Sequence, residues 1–164
     1  MEIVIILGLI FLNGILSMSE IAMVSARKSR LETAAKKGSK TAKTALRLAN
    51  EPDRFLSTIQ IGITLIGILT GLYSGEALAG DLARWLETIG IPQAHSLTLA
   101  KGIIVILVTY LTLILGELVP KHLGMNAPEK IARLIARPME VLSKIASPFV
   151  WLLSASTQAV IRLT

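Results

Sequence analysis

Residues 102–121 read GIIVILVTYLTLILGELVPK, and the fold turns on how this stretch is interpreted. From Gly102 to Val119 the only charge is Glu117, and a helix of that length crosses a hydrocarbon core of about 30 Å if the turn Thr98 to Lys101 joins it. A carboxylate placed centrally in such a span costs roughly 2.5–3.5 kcal/mol, so intramembrane acids face a bundle interior, a water-filled cavity or a cation. Pro120 adds backbone chemistry to the side-chain argument. Its ring clashes with the carbonyl of Gly116 and it has no amide hydrogen to donate, so the helix is expected to kink or end there and to free that carbonyl. A freed Gly116 carbonyl beside Glu117 makes a negative, oxygen-rich corner suited to a hard cation. The plainer alternative is that Glu117 pairs with Lys121 at i, i+4 or reaches the headgroups.

The rest of the chain has the composition of a membrane protein. Hydrophobic residues make up 52% of the 164 and charged residues 17%, with the apolar residues gathered into long uncharged runs rather than spread in amphipathic patterns. Two further runs qualify as spans, about Ile3 to Ser25 and Phe55 to Leu78. The first is read as a retained span and not a signal peptide, because it carries Glu2 in place of a basic n-region and runs into basic sequence instead of a cleavage site. The absence of cysteine excludes disulfides and thiolate metal sites.

Charge sets the expected orientation. Of the 17 Lys and Arg residues, nine lie from Arg27 to Arg54 and six from Lys121 to Arg162, with only Arg84 and Lys101 between the second and third spans. The positive-inside rule then puts the N-terminus outside and both basic segments in the cytoplasm. The net charge of +6 follows from this asymmetry, which points to anionic lipid headgroups and away from nucleic acid. Ser29 to Asn50 is expected to form one or two surface helices, with Leu31, Ala34, Ala35, Ala42, Ala45, Leu46 and Ala49 as an apolar stripe along the membrane face. A short helix, Leu82 to Thr88, is expected in the outside loop before Gly90-Ile91-Pro92 breaks it. From Ala127 onward the spacing suggests an amphipathic belt bent at Pro138 and Pro148, with a fourth span from about Val141 as the alternative. The expected fold class is therefore an all-α membrane protein: three transmembrane helices plus a cytoplasmic-side juxtamembrane helical belt, N-terminus outside.

Polar residues inside the spans are the remaining candidates for chemistry. Asn13, Ser17 and Glu20 share a face of the first span at i, i+4 and i+7, and lipid offers such groups no partner. Helix packing explains Asn13 and Ser17 equally well, and Glu20 can be structural beside Arg27 and Lys28. In the second span Ser57, Gln60, Thr64, Gly67, Gly71 and Ser74 recur at three- and four-residue steps. Close helix packing is the commoner use of that pattern, but Gln60 and Thr64 also bring oxygen ligands. His95 and His122 lack metal-ligand spacing, and no phosphate loop, nucleophile elbow or zinc-protease signature occurs, so nothing suggests an enzyme.

Three segments taken together carry a family resemblance. Asn13-Gly14-Ile15-Leu16-Ser17-Met18-Ser19-Glu20, Pro52-Asp53-Arg54-Phe55-Leu56-Ser57-Thr58-Ile59-Gln60-Ile61-Gly62, and Gly116-Glu117-Leu118-Val119-Pro120-Lys121 resemble the transmembrane domain of the CNNM/CorC family, whose bacterial members are often labelled hemolysin-like. The resemblance implies a homodimer in the bacterial inner membrane and Mg2+ export driven by Na+ entry. It implies that the ion is held by Ser17 and Glu117 first, then Asn13. The second span departs from the family's best-defined magnesium sites. They resemble Gly-Asn-Thr-Leu-Val-Asn where this chain has Gly62-Ile63-Thr64-Leu65-Ile66-Gly67. Both amides are missing, so Thr64, Gln60 or the Gly67 backbone has to compensate. Some relatives of this branch are linked to polyamine export, and a non-transporting dimeric anchor is the third reading. Members normally continue into a pair of CBS domains and a small C-terminal domain, so residues 1–164 are expected to be the membrane domain of a longer chain.

Overall fold

The computed structural model describes residues 2–163, and every regular element among them is helical. Helix α1 spans Glu2–Ser25, α2 Lys28–Lys36, α3 Lys40–Asn50, α4 Pro52–Thr88 and α5 Gln93–Leu113; a π turn, Ile114–Leu118, leads into α6, Val119–Asn126, and α7 covers Pro128–Leu163. Three of these are long and apolar enough to cross a membrane: Glu2–Ser25, Pro52–Thr88 and the composite Gln93–Asn126. Two compact units emerge, Met1–Ser17 with Ile63–Pro120 and Met18–Gly62 with Lys121–Thr164.

In the first unit Ile6 and Ile10 of α1, Ala79 of α4, and Ile104 and Val108 of α5 form a buried apolar cluster. Helix α4 does not stop near Leu78, where the apolar run is expected to end, nor does a separate helix begin at Leu82. It is one helix of 37 residues, about 55 Å long. Each helical glycine costs only about 1 kcal/mol, and buried Ser74, Ala79, Ala83 and Leu86 keep the helical spacing across Gly75 and Gly80. The stop comes at Gly90, whose φ of 96° suits a residue without Cβ, and the Ile91 amide donates back to the Leu86 carbonyl at 3.2 Å. Across that turn the Ser96 hydroxyl donates to Glu87 Oε1 at 2.8 Å, pinning the start of α5.

The second unit has its own interior. Gly38, at φ 90°, separates α2 from α3, and Ser39 caps α3 by accepting from the Ala42 amide. Leu31, Ala42, Ala45 and Ala49 are buried as expected, and Lys36, Lys37, Lys40, Lys43 and Arg47 are exposed. The α3 stripe is covered by α7, however, and not left for a bilayer. Helix α7 supplies Ala132, Ile135, Ala136, Met139, Ser143 and Ala146 to this interior and runs through Pro138 and Pro148 without a break. Each proline leaves the carbonyl four residues back, those of Leu134 and Lys144, without its amide donor. Both residues are exposed, so external donors can replace the lost bonds. Among the described residues α7 is not one of the spanning helices, so the fourth span is not supported.

Candidate cation site

Pro120 does not end the third spanning helix. The backbone widens by one residue into a π turn, in which the Val119 amide bonds the Ile114 carbonyl five positions back, and α6 then continues to Asn126. Widening relieves the clash between the proline ring and the preceding turn, and π turns of this kind recur at functional sites.

Helix α1 comes against this turn through two glycines. A Cβ on Gly116 would meet the Ile10 carbonyl oxygen at 3.2 Å and Asn13 Nδ2 at 3.3 Å. One on Gly14 would meet Pro120 Cγ at 2.9 Å and the Leu115 carbonyl oxygen at 3.1 Å. With no side chains in between, Asn13 Nδ2 donates to the Gly116 carbonyl at 3.0 Å. The sequence left that carbonyl free; the structure gives it a donor from another helix.

That bond also fixes Asn13. Only the amide nitrogen can donate to a carbonyl, so Oδ1 is turned to the other side. Asn13 is 4% exposed and Ser17 1%, and neither Asn13 Oδ1 nor Ser17 Oγ has a hydrogen-bond partner. Two buried, unpaired oxygens one helical turn apart demand an explanation, because a desolvated polar group without a partner costs about 1–3 kcal/mol. Either oxygen can receive a cation or an N–H donor. Glu117 follows Gly116 in the π turn and is half-buried.

Glu20 is in the second unit, where its carboxylate is 3.7 Å from Lys121 Nζ, an ion pair that fits a structural role. Thr64 and Gly67 are on an exposed face of α4, and a Cβ at Gly67 would meet nothing within 4 Å. Gln60 is exposed and belongs to the second unit. Among the described residues no group of three or more His, Cys, Asp or Glu side chains could hold a metal, so a cation here would rest on one carboxylate and neutral oxygens. The steric part played by Gly14 was not apparent from sequence, where its place next to Asn13 was the only local signal.

Residues 4–164 match the family model described as the cyclin M transmembrane N-terminal domain. The chain belongs to the CNNM family. It is a multi-pass membrane domain of that family, with three apolar helices of spanning length. Among its relatives is the UPF0053 protein sll0260 of Synechocystis, 48% identical over 163 residues, which are 99% of this chain and 36% of that protein. The UPF0053 protein YhdT of Bacillus subtilis is 33% identical over 92% of this chain and 32% of its own length. The polyamine export protein of Escherichia coli K12 is 30% identical over 99% of this chain and 36% of its own length. The chain thus spans about a third of the length of these curated relatives.

Proposed function

We propose that this CNNM domain is the membrane part of a cation exporter and no enzyme, with its cargo held by Asn13 Oδ1, Ser17 Oγ and the Glu117 carboxylate. The observation that carries this reading is the pair of buried oxygens left unpaired beside the π turn. A cation that sheds part of its water there supplies what the protein withholds. Mg2+ is the first cargo: it favours hard oxygen ligands and keeps several waters, so a few protein oxygens suffice. Export coupled to Na+ entry, a homodimer in the bacterial inner membrane and cytoplasmic CBS and C-terminal domains complete the proposal.

A polyamine is the second reading, favoured by the likeness to the E. coli polyamine export protein. A primary ammonium offers three donors, and Asn13 Oδ1, Ser17 Oγ and Glu117 offer acceptors of matching chemistry. The exposed Thr64 and Gly67 add no amide ligand that would favour Mg2+.

The purified domain distinguishes the two. Millimolar Mg2+ should raise its unfolding temperature, as any ligand of the folded state does, and Glu117→Ala should remove the effect. Stabilisation by putrescine and not by Mg2+ transfers the site to the second reading, and stabilisation by neither rejects a cation site.

A further inference from the structure

Helix α7 carries two exposed rows side by side. Every seventh residue from Lys130 gives Arg137, Lys144 and Trp151, which in an α-helix form one row along the axis. About 60° around the helix lies an apolar row, Leu134, Val141, Ile145 and Leu152. Its members are 75%, 57%, 66% and 56% exposed, and Trp151 is 72% exposed. The helix's remaining face is already packed on α3, so neither row is covered by its own unit.

We infer that this double row is a docking surface for anionic phospholipid. The apolar row needs a non-aqueous cover, and the cations along its flank need anionic partners; acyl chains and headgroup phosphates of one lipid layer meet both needs at once. Lys144 is 3.2 Å from Glu140, but Arg47 shares that carboxylate, so the cationic row keeps excess positive charge. An indole at the end of the row suits the headgroup level. A second copy is the poorer cover, because an antiparallel two-fold contact across the apolar row brings the Lys130, Arg137 and Lys144 rows against each other. Three cations near an anionic surface, each worth roughly fivefold in partition, make the surface selective and not merely lipophilic. This inference is independent of the cation site.

The chain contains no cysteine and two tryptophans, which makes the test direct. The Trp85→Phe chain, reconstituted in vesicles, leaves Trp151 as the sole reporter. Brominated phosphatidylglycerol should quench it at least about twofold more strongly than brominated phosphatidylcholine at equal mole fraction, and molar salt should narrow the difference. Arg137→Gln with Lys144→Gln should make the two lipids equal while quenching persists. Equal quenching in the parent chain overturns the selectivity, and no quenching by either lipid overturns the docking. Ready disulfide formation between copies of the Ile145→Cys variant overturns it as well, because a second chain then covers the apolar row.

Discussion

Two buried polar regions of this chain treat their hydroxyls in opposite ways. In the second unit Thr58, 2% exposed, donates to its own helix at the Arg54 carbonyl, 2.8 Å away, and lies 3.5 Å from the buried Ser143 hydroxyl. Thr70 and Ser74 in the first unit do likewise, donating to the carbonyls of Ile66 at 2.8 Å and Gly71 at 3.1 Å. Such back-bonding is the ordinary way for a helix to hide a hydroxyl away from water. The Ser17 hydroxyl does not make such a bond, although α1 offers carbonyls at the same spacing, and Asn13 Oδ1 beside it, an acceptor only, receives no donor. Polar burial alone therefore does not mark a site in this protein. On the proposed reading, polar burial without internal satisfaction does, and it occurs where a proline, a π turn and two glycines bring another helix into contact.

The strongest way to break the contrast is to pry that junction open. Gly14→Ala places a Cβ against Pro120 Cγ and the Leu115 carbonyl, and the backbone oxygen cannot swing aside. It should cost about 1–3 kcal/mol of stability in a detergent unfolding titration and lower cation affinity as well. Gly8→Ala, where a Cβ meets nothing within 4 Å, is the control that should do neither. Equal behaviour of the two variants would mean that the close approach does not shape the site. Next in size is Asn13→Ala, which strips the Gly116 carbonyl of its donor. A loss of about 1–3 kcal/mol is expected even without added cation, since that carbonyl is buried next to a proline.

Much of this was legible in the sequence, for a physical reason. A hydrocarbon core forces spans to be long and uncharged, so their positions are written locally. The i, i+4 placement of Asn13 and Ser17, and Glu117 before a proline, are equally local signals. The fate of the Gly116 carbonyl was not. Whether a proline ends a helix depends on what serves the orphaned carbonyl, and here the donor is an amide 103 residues earlier. The same holds for α3: its stripe is visible in the sequence, but only the tertiary structure shows that α7 covers it.

Two smaller substitutions sharpen the contrast from either side. Thr58→Val removes a satisfied hydroxyl and should cost about 1 kcal/mol, unchanged by Mg2+ or putrescine. Ser17→Ala removes an unsatisfied one, so the cation-free domain should be as stable as the parent or more so, by up to about 1 kcal/mol. Stabilisation by the cargo should nevertheless disappear. A Ser17→Ala chain that is destabilised in the absence of cations would show that its hydroxyl is satisfied within the protein after all.

The smallest effect belongs to the opposite extreme, a carboxylate with more partners than it needs. Glu140 of α7 lies 3.2 Å from Lys144 Nζ and also pairs with Arg47 of α3. The hydrogen bond from Lys144 chiefly, with the charges of Arg47 and Lys144 behind it, holds its carboxyl below the usual carboxylate range against the opposing effect of burial. Because the folded state lowers this group's pKa, the stability it contributes is fully present above the unfolded value of about 4.3. It is lost as pH falls through the lower folded value. Glu140→Gln should remove that part of the acid dependence while leaving stability at neutral pH only slightly reduced, since partly solvated ion pairs contribute little. The cargo's effect on unfolding should be the same in both chains near pH 7. If Glu140→Gln abolished it, the α3–α7 ion pairs would have to be counted with the cation site, and the separation between a satisfied region and a site-forming one would fail.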